Sequence, residues 1–235
     1  MKSEQINSHQ NLGFSSRLLH GDCIELLPRL GPNCIDFVLT DPPYLANYLA
    51  RDGRSVPNDN RSNWVKPAFQ EIYRVLRWDR FCVSFYGWNK ADKFLAAWRE
   101  AGFRIVGHLT FVKQYASTER FLRYQHENAY LLAKGSPLKP AHTIPDVLEW
   151  KYSGNLFHPT QKPVSALTPL VEAFSNAGDI VLDPFCGSGS TLVAAQKLNR
   201  RFLGIELSQP YFDVAIHRLR FNDETDQAAK IRRIC

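Results

Sequence analysis

The sequence predicts a doubly wound α/β domain, and three observations lead there. Six short runs rich in β-branched and aromatic residues recur along the chain, helix-period patterns lie between them, and a glycine-rich turn joins one run to a helix. The first strand is expected over 35–40 (Ile-Asp-Phe-Val-Leu-Thr). A helix over 64–76 follows, with Val65, Phe69, Ile72, Tyr73 and Leu76 close to a 3.6-residue period. Next come a strand over 81–86, a helix over 90–101 and two strands over 105–112 and 129–132. A helix over 164–175, a strand over 180–182, a helix over 191–198, a strand over 202–205 and a helix over 210–221 complete the series. Continuous apolar runs of this kind suit strands buried on both faces of a parallel sheet.

The chain has 235 residues, 44% of them hydrophobic, enough for one sizeable core. A single domain over 18–221 is expected, between a flexible tail over 1–17 and another over 222–235. No 18 apolar residues run together, which excludes a transmembrane helix. The first residues are polar and lack the apolar stretch of a signal peptide. Cys23, Cys34, Cys82, Cys186 and Cys235 are scattered, odd in number and free of Cys-x-x-Cys spacing, so a reducing cytoplasm is expected and no metal site. Three stretches fit neither strand nor helix: 45–63, 114–125 and 135–155. Long loops inside a compact domain are more often functional than idle.

Asp183-Pro184-Phe185-Cys186-Gly187-Ser188-Gly189-Ser190-Thr191 follows a strand and opens a helix. Its glycines let the backbone approach a ligand, and the helix start offers unpaired N–H groups. A Walker A loop needs Lys where Ser190 stands, and a dinucleotide fingerprint needs glycine where Leu192 stands. A nucleoside ligand without a pyrophosphate remains. Glu206 closes the next strand, nineteen residues after Gly187, the usual place for a carboxylate that grips ribose hydroxyls. S-adenosylmethionine fits, its amino-acid end held by Asp183 and nearby N–H groups.

Asp41-Pro42-Pro43-Tyr44 closes the strand over 35–40. Alone, it would also suit a proline-rich strand exit with a capping aspartate. Two prolines hold the backbone extended and remove N–H donors, leaving carbonyls to accept hydrogen bonds. A carboxylate, a carbonyl and an aromatic plane match a planar base with an exocyclic amine, which Asp41 and the Pro42 carbonyl would accept while Tyr44 stacks on the ring. Such an amine is a weak nucleophile because its lone pair is delocalised, and two acceptors with good alignment would raise its reactivity.

With these pieces in order, the chain resembles the β class of DNA amino-methyltransferases, the adenine-N6 and cytosine-N4 family of the Asp-Pro-Pro-Tyr type. The matching segments are Gly21-Asp22-Cys23, Asp41 to Tyr44, His158-Pro159-Thr160-Gln161-Lys162-Pro163, and Asp183 to Gly189 with Glu206 beyond. Arg123-Tyr124-Gln125-His126-Glu127 and Ala133-Lys134-Gly135 also look like family sequence. The resemblance implies a Rossmann-like, seven-stranded sheet with one antiparallel strand. It places Asp22, with Cys23, beside the cofactor adenine, and His158, Pro159, Thr160 and Lys162 at the methionine end. Asp41, Asp183, Phe185, Cys186, Gly187, Ser188 and Gly189 would line the pocket, Glu206 would bind the ribose, and Asp41, Pro42, Pro43 and Tyr44 would carry the chemistry. An aspartate at the head of the tetrapeptide favours adenine over cytosine.

The formal charge of +6 leans toward an anionic partner. Between 51 and 80 there are seven basic residues against four acidic, and between 113 and 139 five against two. Both segments flank irregular loops, so double-stranded DNA is the expected partner, met by Arg51, Arg54, Arg61, Arg120 and Arg123. The loops over 45–63 and 135–155 are expected to read bases. Chemistry on a paired base needs it swung out of the stack, and Asn47, Tyr48 or Tyr115 would fill the gap. The resemblance also allows a second copy of the chain and a cognate restriction endonuclease as partners. Cytosine-N4 methylation, action on RNA or a protein amide, and an inactive DNA-binding protein with the same fold are the alternatives.

Overall fold

The structure, a computed structural model, describes residues 9–11, 16–48, 53, 56–117 and 121–221. Its strands are β1 (His9–Asn11), β2 (Arg17–His20), β3 (Phe37–Thr40), β4 (Arg80–Phe85), β5 (Arg104–Lys113), β6 (His126–Lys134), β7 (Val147–Trp150), β8 (Ile180–Asp183) and β9 (Arg201–Glu206). The helices are α1 (Cys23–Leu26), α2 (Val65–Val75), α3 (Ala91–Ala101), α4 (Val164–Phe174), α5 (Ser190–Lys197) and α6 (Gln209–Phe221). One sheet holds every strand in the order β1-β2-β9-β8-β3-β4-β6-β5-β7. The stretch from β2 to β5 is the expected seven-stranded sheet, parallel except for β6, which pairs antiparallel with both β4 and β5.

Alternating side chains of the central strands feed two cores. Phe37 and Leu39 of β3 pack with α4, α5 and α6 residues such as Leu167, Leu170, Leu192 and Phe212. Val38 and Cys82 face the other way, toward Ala68, Phe69 and Ile72 of α2 and Phe94 and Trp98 of α3. Strands covered on both faces read as unbroken apolar runs, which is why they stand out in the sequence. In α2, Val65, Ala68, Phe69, Ile72 and Val75 form the buried stripe of an amphipathic helix.

The edges differ from expectation. Within the expected amino-terminal tail, His9–Asn11 pairs antiparallel with β2, so part of that tail belongs to the sheet. Its three polar residues carry no apolar signal, because an edge strand is held by main-chain hydrogen bonds. The stretch over 135–155, expected to be a loop, contains β7, which pairs parallel with β5 through Thr110–Lys113. Four residues between proline-bearing segments, buried only at Trp150, give too short a pattern to read. Residues 222–235 lie outside the described residues. Among the described residues, no helix is long and apolar enough to cross a membrane.

Candidate active site

Five adjacent parallel strands, β2, β9, β8, β3 and β4, end on one side of the sheet. The chain leaves β3 toward β4 and leaves β8 toward β9, so neighbouring connections diverge and a crevice opens at the β8/β3 carboxyl ends. One cleft there gathers Asp22 and Cys23 after β2, Asp41 to Tyr44 after β3, Asp183 to Ser188 after β8, and Glu206 at the end of β9. His158, Thr160, Gln161 and Lys162, ahead of α4, close its side. Residues placed together by the resemblance, from four distant parts of the chain, therefore share one cleft. Pro159 and Gly189 do not line it. The Pro159 carbonyl accepts from Asn155 Nδ2 at 2.8 Å, and Gly189 packs on α6, where a Cβ would come within 3.1 Å of the Ala215 Cβ.

The loop after β8 is shaped by its glycines and held from behind. Gly187 and Gly189 have φ of 52° and 82°, conformations that cost side-chain-bearing residues energy. Glu206 Oε2 accepts from the Gly187 N–H at 2.8 Å and its Oε1 from the Ser208 N–H at 2.7 Å. Burial pushes the Glu206 carboxyl up, against the downward pull of these backbone donors. Asp183 Oδ1 accepts from the Phe185 N–H at 3.1 Å, and burial raises its carboxyl to about 7. Arg218 of α6, buried, donates from Nη1 to the Ser188 carbonyl at 2.8 Å and reaches the Ser188 and Ser190 hydroxyls. Burial keeps Cys23 and Cys186 as thiols, so neither is a ready nucleophile. Asp22 caps α1, its Oδ1 accepting from the Ile24 N–H at 3.0 Å.

The tetrapeptide after β3 sits in a network of buried charge. Lys162 Nζ is 2.8 Å from Asp41 Oδ2, and it lies 5.0, 5.3 and 5.7 Å from the ring centres of Tyr44, Phe85 and Trp150. Asp41 Oδ1 is buried and has no hydrogen-bond partner among the described residues. Burial raises the Asp41 carboxyl, and Lys162, with the nearby Tyr44 hydroxyl, counters only part of that rise. The Tyr44 hydroxyl donates to Glu127 Oε2 at 3.3 Å, and Glu127 forms an ion pair with Lys113. Burial works to raise Glu127, but Lys162 and Lys113 outweigh it and hold the carboxyl low. Leu45, at φ 60°, turns the chain sharply after Tyr44. A second cleft meets the first at Tyr44 and is walled by Tyr86, Trp88, Tyr124, His126 and Glu127.

Several of these residues were not foreseen. Lys113 and Arg218 carry no motif, and each sits inside an ordinary strand or helix pattern. Lys162, expected at the methionine end of a cofactor, is in the cleft but holds Asp41. Within 45–63, expected to read bases, Tyr48, Val56, Pro57, Asn58 and Asp59 border the first cleft. Asp59, buried, accepts from the Tyr48 N–H at 2.7 Å and fixes that turn. Of the expected DNA-contacting residues, Arg61 and Arg123 are exposed, while Arg51, Arg54 and Arg120 lie outside the described residues. Tyr115, a candidate to fill the duplex gap, is tied down: its hydroxyl accepts from Trp150 Nε1 at 3.2 Å and its ring meets Tyr152.

Comparison with known proteins agrees with this geometry. A family model described as DNA methylase matches residues 35–217. The chain is 52% identical over 204 residues to YubD, a presumed methylase of Escherichia coli (strain K12), covering 87% of this chain and 90% of the relative. It is 28% identical to the type II methyltransferase M2.DpnII of Streptococcus pneumoniae, covering 89% and 91%. The solved complex of M1.HpyAVI with SAM superposes with a TM-score of 0.67 at 25% identity, covering 86% of this chain and 98% of that one. The cytosine-N4-specific PvuII DNA methyltransferase shares the fold, with a TM-score of 0.71 at 18% identity over 93% and 88%. Because the family match spans most of the chain, from the first central strand into the last helix, the protein belongs to the N6/N4 DNA methylases.

Proposed function

We propose that this DNA methyltransferase transfers a methyl group from S-adenosylmethionine to the exocyclic N6 amine of an adenine flipped out of duplex DNA. The observation that carries this reading is Asp41, which lines the cleft: one carboxylate oxygen is fixed by Lys162, and the other is buried with no hydrogen-bond donor among the described residues. An orphaned acceptor in such a place costs roughly 1–3 kcal/mol until a donor arrives. An amine N–H is the donor of choice, and Tyr44, adjoining both clefts, offers the aromatic face on which its ring stacks.

The cleft suits the nucleoside donor. Glu206, anchored by two backbone N–H groups, keeps lone pairs for ribose hydroxyls, and Gly187 lets the backbone come close. Asp183, which lines the same cleft, pairs with the ammonium of the methionine end in this reading. When bound, S-adenosylmethionine supplies a methyl group on a positively charged sulfur. Asp41 orients the amine and draws electron density onto its nitrogen. Its raised affinity for protons also suits it to receive the one the nitrogen releases. The aspartate that opens the tetrapeptide supports adenine as the base.

Two outcomes follow for the cofactor. Glu206→Ala weakens S-adenosylmethionine binding by roughly 1–3 kcal/mol while leaving turnover at saturating cofactor largely intact, as calorimetry and steady-state rates will show. Because Asp183 titrates near about 7, its carboxyl is protonated below that pH and must release a proton to pair with an ammonium. Cofactor affinity therefore falls as pH drops, by roughly fivefold from pH 7 to pH 6, and Asp183→Asn flattens the profile.

The function is tested by incubating the protein with methyl-labelled S-adenosylmethionine and unmethylated genomic DNA, total RNA or cell protein. Label in DNA alone is the expected result. Label in RNA or protein, with none in DNA, overturns the reading.

A further inference from the structure

We propose that Phe121 and Leu122, at the tip of the β5–β6 hairpin, form the apolar wedge that occupies the duplex position vacated by the target base. This rests on the DNA reading above. The hairpin continues beyond its strands: the Lys113 N–H donates to the Gln125 carbonyl and the Ser117 N–H to the Tyr124 carbonyl, both at 2.8 Å. Its base is built into the active site, since Glu127 of β6 accepts from the Tyr44 hydroxyl and pairs with Lys113 of β5. Higher up, Ser117 and Tyr124 wall the second cleft together with Tyr44, and Tyr124 stacks on Trp88 with ring centres 5.7 Å apart. Ser117 and Tyr124, the last paired residues below Phe121 and Leu122, thus border the same cleft as Tyr44.

At that tip Phe121 is 98% exposed and Leu122 67% exposed. Two adjacent large apolar side chains left in water are stabilised when covered, which the free protein forgoes. Their surroundings point to a polyanion as the cover. Exposed Arg123 follows them directly, and Glu119 and Arg120 precede them in sequence, so the residues next to the pair carry one net positive charge. Apolar side chains set among arginines are the chemistry by which proteins enter a base step while gripping the flanking phosphates. Filling the gap offsets the stacking lost when the base leaves, so the flipped state is populated longer. Tyr115, by contrast, is half-buried and hydrogen-bonded to Trp150.

The test uses the full chain and the double variant F121A/L122A, whose exposed positions leave folding undisturbed. After the methylated sequence has been mapped on genomic DNA, two synthetic duplexes are compared, one with the target base paired and one with it mispaired. The expected result is an unchanged melting temperature and cofactor affinity, with methylation of the paired duplex slowed by about tenfold or more. On the mispaired duplex, where extrusion is already easy, the rate returns to within about threefold of the unmodified protein. F121W retains most activity on both. An unaffected rate on the paired duplex, or an equal loss on both duplexes, overturns the wedge. So does dissociation of a dimer by the double variant in sedimentation, which would assign the apolar tip to a second copy of the chain. If the unmodified protein transfers no methyl to any DNA, the proposed function fails and the wedge with it. Activity in the unmodified protein with an unaffected variant removes the wedge alone.

Discussion

Asp41→Ala abolishes methyl transfer, with turnover reduced by about a thousandfold or more, while the S-adenosylmethionine dissociation constant moves by less than about threefold. The division follows from where the oxygens point. Oδ2 is engaged by Lys162, Oδ1 is buried with no donor among the described residues, and the groups suited to the cofactor, Asp183 and Glu206, sit at the ends of β8 and β9. Losing Oδ1 removes the acceptor that orients the amine, and Glu127, engaged with Tyr44 and Lys113, does not replace it. Asp41→Asn keeps the shape and separates charge from packing: it retains the fold more fully than alanine and is still severely slowed. Calorimetric cofactor binding alongside single-turnover methylation checks both halves. Equal loss of cofactor affinity would show that Asp41 serves the donor rather than the amine.

Lys162→Met has the second large effect, on stability as well as rate. The ammonium is buried, pairs with Asp41 and lies over three aromatic rings. Removing it leaves Asp41 without its cation and costs about 3–5 kcal/mol, the usual penalty for breaking a buried pair from one side. Without the ammonium, the Asp41 carboxyl rises further above its ordinary range. A carboxyl raised on folding stabilises the protein below its unfolded value and loses that contribution as pH rises through the folded one. The variant is therefore closest to the unmodified protein in acid and deviates increasingly toward neutral pH. Combining Lys162→Met with Asp41→Asn recovers most of the stability and none of the turnover, measured by denaturant unfolding and methylation together. A double variant no more stable than Lys162→Met alone would show that the lysine acts through its ring contacts instead.

What the sequence made legible divides along physical lines. Strands such as Phe37–Thr40 and Ile180–Asp183, covered on both faces, announce themselves as apolar runs, and α2 does so through its 3.6-residue stripe. Edge strands β1 and β7 do not, because main-chain pairing in β1 and a single buried tryptophan in β7 leave no period to count. In the cleft, Asp41 to Tyr44, Gly187 and Glu206 were visible because local chemistry constrains them: prolines, glycines and a carboxylate at strand ends. Lys113, Glu127 and Arg218 act by tertiary contact alone. A lysine in a strand that pairs with a glutamate on its neighbour looks like any other lysine until the hairpin is folded. The loop over 45–63 is the opposite case. Its polar composition suggests solvent or DNA, yet Asp59 is buried and turns Tyr48 toward the cleft, satisfied by a backbone N–H that no sequence pattern reveals.

The most direct measurement is the identity of the product. Unmethylated genomic DNA is treated with the protein and isotopically labelled S-adenosylmethionine, digested to nucleosides and resolved by mass spectrometry with fragmentation. The predicted product is deoxyadenosine bearing the labelled methyl on its exocyclic nitrogen. Label on the exocyclic nitrogen of deoxycytidine would keep the chemistry at Asp41 and contradict the base. A methyl group on ring carbon, or no labelled nucleoside from a protein that binds the cofactor, would contradict amine methylation itself.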